Sequence, residues 1–200
     1  MSTGMAHIEL PGQGVTNDWW TPKQIVQSLG NFDLDPCAGI AQDPLATRCY
    51  HPSPEIIDAE AAMTAAKKLK DKKAFWKAKN DYAHAISQTP NGLSLPWEGR
   101  VFCNPPYGPY VIDWVNKIAE HNNGILLIFA RTETKAWQRI WKTATAILLP
   151  FRRITFVRPD GLQAKSGTAP SAFAAYGENN LVALANSGIK GALLTKWNVQ

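Results

Sequence analysis

The sequence predicts an α/β fold with a mostly parallel sheet, and three observations carry that expectation. Residues 124–130, Gly-Ile-Leu-Leu-Ile-Phe-Ala, form a continuous apolar run of strand length, the pattern of a strand covered on both faces. Just before it, residues 110–121 place Val111, Ile112, Val115, Ile118 and Ala119 on one helical stripe. Strand-sized and helix-sized segments then alternate along the chain, as they do where helices connect parallel strands.

Taken in order, Trp20-Thr21-Pro22 reads as a helix start for residues 23–29, with Thr21 as cap and Pro22 at the first helical position. Residues 31–39, Asn-Phe-Asp-Leu-Asp-Pro-Cys-Ala-Gly, read as a short strand ending in an acid and a turn of small residues. An Ala-rich stretch from 55 to 86 is helical in character, and Val101-Phe102-Cys103 is an apolar strand leading into a loop. Residues 132–142 read as a helix and 144–149 as a buried strand, while 151–157, 172–176 and 181–185 read as closing strands. No internal repeat or second domain is visible, so residues 1–200 are expected to form one domain carrying a basic helical insertion over 55–88.

Composition sets broad limits. With 45% hydrophobic and 18% charged residues, 200 residues suffice for a full core and argue against extensive disorder. The amino terminus lacks a basic segment followed by an apolar run, and the longest apolar stretches are strand-sized, so a cytoplasmic protein without membrane insertion is expected. Cys37, Cys49 and Cys103 lack the paired spacing of a zinc site and are expected as reduced thiols. His7, His51, His84 and His121 are scattered without ligand spacing, and no metal is expected.

The net charge of +5 is localised. Residues 67–79 contain seven lysines and one Asp, so the rest of the chain carries about −1. With Phe75 and Trp76 embedded in it, this segment reads either as an arm whose lysines, Lys72 and Lys73 among them, neutralise phosphates, or as an amphipathic helix that buries its aromatics and solvates its lysines. A second segment, residues 158–170, carries turn residues with Arg158 and Lys165 and reads as a surface loop.

The most informative motif is Asn104-Pro105-Pro106-Tyr107. Two prolines fix φ and lack amide hydrogens, so the loop after the strand is stiff and leaves carbonyl oxygens free. The Asn104 side-chain oxygen and the Pro105 carbonyl can both accept hydrogens from one exocyclic NH2 group, which localises its lone pair on nitrogen. Tyr107 supplies a stacking face, worth roughly 1 to 3 kcal/mol per base. Upstream, Asp35 stands at the carboxyl edge of its predicted strand, followed by small residues that let a ligand approach the backbone.

These pieces, in this order, resemble the phage-type DNA N-6-adenine methyltransferases of the Dam family. The resemblance rests on Asp18-Trp19-Trp20-Thr21-Pro22, Phe32-Asp33-Leu34-Asp35-Pro36-Cys37-Ala38, Cys49-Tyr50, Gly92-Leu93 with Trp97, residues 101–108, Ala130-Arg131-Thr132 with Trp137, and residues 153–156. It covers nearly the whole chain except residues 56–88.

The resemblance implies a Rossmann-like, S-adenosylmethionine-dependent methyltransferase sheet with an antiparallel strand near its end. It implies cofactor contacts from Thr21 and Pro22, which meet a carboxylate, and from Asp35, Pro36, Cys37 and Ala38 around the methionine part, Asp35 near the ammonium. Asn104, Pro105, Pro106 and Tyr107 would form the target-adenine pocket. Where such families place an acid for the cofactor's adenine, this chain has Asn91, while Asp43 and Glu55 both stand as ribose-binding acids. Arg131 and Arg153 are expected near DNA, with Phe156 as a second stacking ring. The implied partner is duplex DNA, in a phage, prophage or restriction-modification setting. Pro36-Cys37 also matches the nucleophilic dipeptide of carbon-5 cytosine methyltransferases, but its place in the expected cofactor loop speaks against that role.

Two other readings stay open at the level of sequence. Asn-Pro-Pro-Tyr also serves methyltransferases that act on RNA bases or protein glutamine. A DNA-binding module that has lost catalysis would use the basic arm alone.

Overall fold

The computed structural model describes residues 20–39, 42–108, 110–157 and 169–199. Asp18, Trp19 and most of the expected loop over 158–170, including Arg158 and Lys165, lie outside the described residues.

In chain order the elements are α1 (Lys23–Ser28), β1 (Leu34–Asp35), β2 (Arg48–Cys49), α2 (Pro54–Lys68), α3 (Lys72–Gln88), β3 (Val101–Cys103), α4 (Val111–His121), β4 (Gly124–Phe129), α5 (Lys135–Thr143), β5 (Ala146–Pro150), β6 (Ser171–Tyr176), α6 (Glu178–Asn186) and β7 (Gly191–Leu194). They build an α/β fold around one sheet of seven strands in the order β2-β1-β3-β4-β6-β5-β7. The first four in that order run parallel to one another. β6 then inserts antiparallel between β4 and β5, and β7 pairs antiparallel with the outer edge of β5. The sheet is therefore mixed, parallel where β1, β3 and β4 lie side by side.

Alternation along the strands decides which face each side chain takes. Val101, Cys103, Leu126, Ile128 and Ile147 join Val115 and Ile118 of α4 and Trp137 and Ile140 of α5 in one core. Phe102, Ile125, Leu127, Leu148 and Phe173 join Val26 of α1 and Leu184 of α6 in the other. Fully burying each large apolar side chain contributes about 1.5–3 kcal/mol. Trp137 also needs a partner for its ring N–H, which donates to the Phe129 carbonyl at 2.6 Å.

Three expected elements differ from those found. Residues 151–157 form no strand of the sheet. Val157 makes only an isolated antiparallel bridge with Trp20. Residues 181–185 belong to α6, where Leu181 and Leu184 pack inward while Val182 remains 53% exposed, a helical pattern of burial. The third difference is at α1: Pro22 is extended at φ −54 and ψ 126, precedes the helix, and no side chain caps it.

The 55–86 stretch is two helices. Ser53 caps α2 by accepting from the Ile56 N–H, and the Asp71 carboxylate caps α3 by accepting from the Ala74 N–H. Between them Lys70 adopts the left-handed conformation at φ 57, and the Asp71 N–H reaches back to the Ala66 carbonyl, a helix-terminating turn in which glycine is usual.

Candidate active site

β1 lies between β2 and β3, so consecutive connections leave it in opposite directions. In open α/β sheets the crevice beyond the carboxyl ends at such a switch point is where ligands bind. Asp35 ends β1, and Asn104 directly follows β3.

Asn104 donates through Nδ2 to the Thr21 hydroxyl at 3.2 Å. Its Oδ1 is buried with no hydrogen-bond partner among the described residues. An orphaned buried acceptor costs about 1–3 kcal/mol, so the arrangement is poised for an incoming donor. Thr21, 3% exposed, thus turns its hydroxyl to the Asn104 amide rather than to the start of α1.

Asp35 is 4% exposed, and its Oδ1 accepts from the Cys37 N–H at 3.0 Å. Burial outweighs that hydrogen bond and pushes the carboxyl up to about 7. None of the ion pairs found among the described residues involves it. A cation placed beside it would restore the carboxylate.

The backbone after Asp35 is held on both sides. Pro36 and Ala38 are buried and Cys37 is half-buried. The Ala38 N–H donates to the Tyr50 carbonyl at 3.2 Å, and the Cys37 and Cys103 sulfurs lie 3.4 Å apart, linking the two loops that leave β1 and β3. Burial and the neighbouring Cys103 push the Cys37 thiol up, which opposes a nucleophilic role.

Against this loop packs the turn over 91–97. A Cβ on Gly92 would collide with the Pro36 carbonyl oxygen and the Trp114 ring, so only glycine permits the approach. Asn91, expected to face a cofactor, is 5% exposed and structural. Its Nδ2 donates to the Ile86 and Thr89 carbonyls at 2.8 Å each, and its Oδ1 accepts from the Leu93 N–H at 2.8 Å. These bonds close the turn after α3. Lys117 of α4 donates to the Leu93 and Leu95 carbonyls, and Trp97 donates to the Gly92 carbonyl at 2.7 Å.

Within the proline loop, Pro105 is buried and Pro106 half-buried. The Tyr107 ring stacks on Phe129 at 3.8 Å with planes 8° apart, so one of its faces is already covered. Its hydroxyl is buried without a hydrogen-bond partner among the described residues, and burial pushes the phenol well above its ordinary range. The Arg131 guanidinium lies 5.8 Å from the same Phe129 ring, placing this exposed cation beside the loop. Beside the loop, a gap of about 20 Å³ is lined by Glu60, Met63, Tyr82, Pro106, Tyr107, Gly108 and Tyr110. That is room for about one water.

Other expected residues fall elsewhere. Phe156 is 5% exposed and packs in the core with Val26, Leu29 and Phe173, so its ring is used for packing rather than for stacking a base. Arg153 is exposed on the stretch after β5, and Lys72 and Lys73 lie exposed in the first turn of α3. Asp43 pairs with Lys23 at 3.7 Å on the surface, and Glu55 lies in the first turn of α2. A cavity of about 380 Å³, lined by Lys23, Phe32, Leu45 and Thr47 among others, includes residues just ahead of β1 and β2 rather than those beyond their carboxyl ends.

Phe129, Lys117 and Trp97 are site-shaping residues that sequence reasoning assigned no such role. Trp97 was part of the motif pattern, but its clamp on Gly92 depends on a turn no periodicity predicts. Among the described residues no group of three or more His, Cys, Asp or Glu side chains is placed to hold a metal, and no helix is long and apolar enough to cross a membrane. The chain matches no protein-family model, no curated protein and no solved structure.

Proposed function

We propose that the chain is an S-adenosylmethionine-dependent methyltransferase acting on the exocyclic amino group of adenine in duplex DNA. The observation that carries this reading is the buried, unpartnered Oδ1 of Asn104, set at the carboxyl end of β3 beside the strand that ends in Asp35. The strand order supports it, because a parallel set followed by the antiparallel β6 near the chain's end agrees with the Rossmann-like version that the motif resemblance implies.

The residues at the switch point suit the cofactor. Asp35, buried and in no ion pair found among the described residues, would hold the ammonium, and residues 36–38 would line the methionine part. Thr21 stands at the same edge and fixes the Asn104 amide. Asn91 contributes by shaping the adjoining turn. S-adenosylmethionine supplies an electrophilic methyl group on a sulfonium.

The chain's own residues then act on the amine. Asn104 Oδ1 accepts one amine hydrogen and the Pro105 carbonyl the other, localising the nitrogen lone pair and holding it in line for transfer. Positioning and fixed dipoles supply most of the acceleration. The adenine is flipped from the duplex at an unstacking cost of a few kcal/mol. Phe129 holds the Tyr107 ring in one plane, so a base that stacks there meets a preset surface. The amine proton leaves to solvent after transfer, and no covalent protein intermediate is needed.

The test is transfer of labelled methyl from S-adenosylmethionine to unmethylated duplex DNA, with the product digested to nucleosides. Wild type should yield labelled N-6-methyl-2′-deoxyadenosine, and Asn104→Ala should lose at least 100-fold in turnover, on the order of removing one aligned hydrogen-bond acceptor from the transition state, with cofactor affinity nearly unchanged. Label in RNA or protein but not in DNA would overturn the substrate assignment. Full turnover by Asn104→Ala would overturn the loop's role.

A further inference from the structure

Resting on that reading, we propose that the tip of the α2–α3 hairpin is an arm that grips the phosphate backbone of duplex DNA beside the active site.

Residues 67–79 hold seven lysines and one Asp, while the rest of the chain carries about −1. The fold gathers this charge at one place. Lys67 lies in the last turn of α2, Lys70 in the connecting turn, and Lys72 and Lys73 in the first turn of α3, all exposed. Lysines at a helix start meet the positive end of the helix dipole. The only acid of the segment, Asp71, spends its carboxylate on capping the Ala74 N–H. Lys70 occupies a left-handed position that strains a non-glycine residue. The Asp71 cap holds the turn in place, so the lysines are gathered on an ordered tip.

The apolar residues of the tip point the same way. An amphipathic hairpin that served only to pack would bury its indole, but Trp76 is 57% exposed and Leu69 is 78% exposed. The Lys79 ammonium lies 4.6 Å from the Trp76 ring centroid, adding charge to this face. Lys77 is different, since it pairs with Asp81 at 2.7 Å.

The base of the hairpin ties it to the site. Ile56, Ala59, Tyr82 and Ala85 form their own small core against Tyr110, and the Tyr82 and Tyr110 rings lie 5.4 Å apart beside the proline loop. Leu69 stands about 20 Å from Ile56 along α2 at 1.5 Å per residue. On a duplex that reach corresponds to about six base pairs. A basic tip with exposed Leu and Trp also has the chemistry of a binder of anionic membrane surfaces, but the position of its base beside Asn104's loop favours the duplex.

The experiment is fluorescence anisotropy of a labelled short duplex across a salt series, with wild type and the combined variant Lys67→Gln/Lys70→Gln/Lys72→Gln/Lys73→Gln. The variant should lose at least 100-fold in affinity at low salt, and its log–log salt slope should be shallower by about 3 to 4, near 0.9 for each phosphate contact removed. Trp76→Ala should weaken binding with the slope unchanged. Circular dichroism and S-adenosylmethionine affinity verify that each variant is folded. Equal affinity and slope in wild type and the combined variant would overturn the arm. Lysine-dependent capture by phosphatidylserine vesicles with DNA binding unchanged would overturn it in favour of a membrane surface. Wild type that transfers no methyl group yet binds duplex through these lysines would sink the methyltransferase reading and leave the arm standing.

Discussion

Asn104 and Asp35 are single residues set apart by their surroundings, each in a different way. Asn104 spends its amide hydrogen on Thr21 and keeps a buried oxygen unpaired. Asp35 is buried enough to hold its proton near neutrality, at about 7 against an ordinary 3.8. Because the folded chain binds this proton more tightly than the unfolded chain, the group's stabilising contribution is full below pH 3.8 and is lost as pH rises through about 7. Asp35→Asn should therefore be more stable than wild type at pH 8, on the order of a few kcal/mol, with little difference at pH 4. Urea unfolding at both pH values checks this, and equal pH dependence in the two proteins would show that the carboxyl is already ionised. The position of each at the carboxyl end of a strand was legible in the sequence, because an acid before a small-residue turn and an amide before two prolines mark strand ends locally. The structural role of Asn91 was not, since its three hydrogen bonds depend on where α3 ends. Phe156 shows the same limit: an aromatic near the site by sequence is in the core by packing.

At the scale of elements, periodicity was decisive where only one period fitted. The apolar stripe over 110–121 became α4, and the unbroken run over 124–130 became β4. Short apolar runs such as Leu181-Val182-Ala183-Leu184-Ala185 fit strand and helix alike, and the available sheet edges decided between them. Residues 151–157 join the sheet nowhere, and Val157 makes only an isolated bridge with Trp20, a long-range outcome that no local pattern encodes. The break inside 55–86 was also hidden, because Lys70 carries none of glycine's warning for a left-handed turn. Lys70→Gly should relieve that turn and stabilise the hairpin by about 0.5–1 kcal/mol, read as slower amide exchange across α2 and α3. Unchanged or faster exchange would mean that the lysine's conformation carries little strain.

The whole molecule is joined at its lower edge by Arg100, just ahead of β3. Its Nε donates to Asn180 Oδ1 of α6 at 2.7 Å, and its Nη atoms donate to the Asn31 and Leu29 carbonyls at 2.8 Å each. The guanidinium also lies 4.2 Å from the Phe32 ring. One side chain thus connects the entry to β1, the start of β3 and α6. Arg100→Ala should lower stability by about 1–3 kcal/mol, the range kept modest because the group is partly exposed to water. Arg100→Lys should recover little, since an ammonium cannot reproduce the planar fork. Chemical denaturation of the three proteins measures both effects, and a rescue by lysine would show that charge alone matters. The α/β class was readable from alternating segments, whereas the insertion of β6 between β4 and β5 was not, because strand order is settled by long-range pairing.

The gap of about 20 Å³ between the proline loop and the hairpin base has a consequence for how any base would reach Asn104. A site closed in its resting form is competent only during the fraction of time it is open, and the apparent affinity of an untethered nucleoside falls by that same fraction. A nucleotide on an anchored duplex escapes this penalty in part, because the bound strand keeps it at high effective concentration through many openings. On the proposed function, closure would therefore act as a filter by chain length, favouring a base tethered to a bound strand over a free adenine compound.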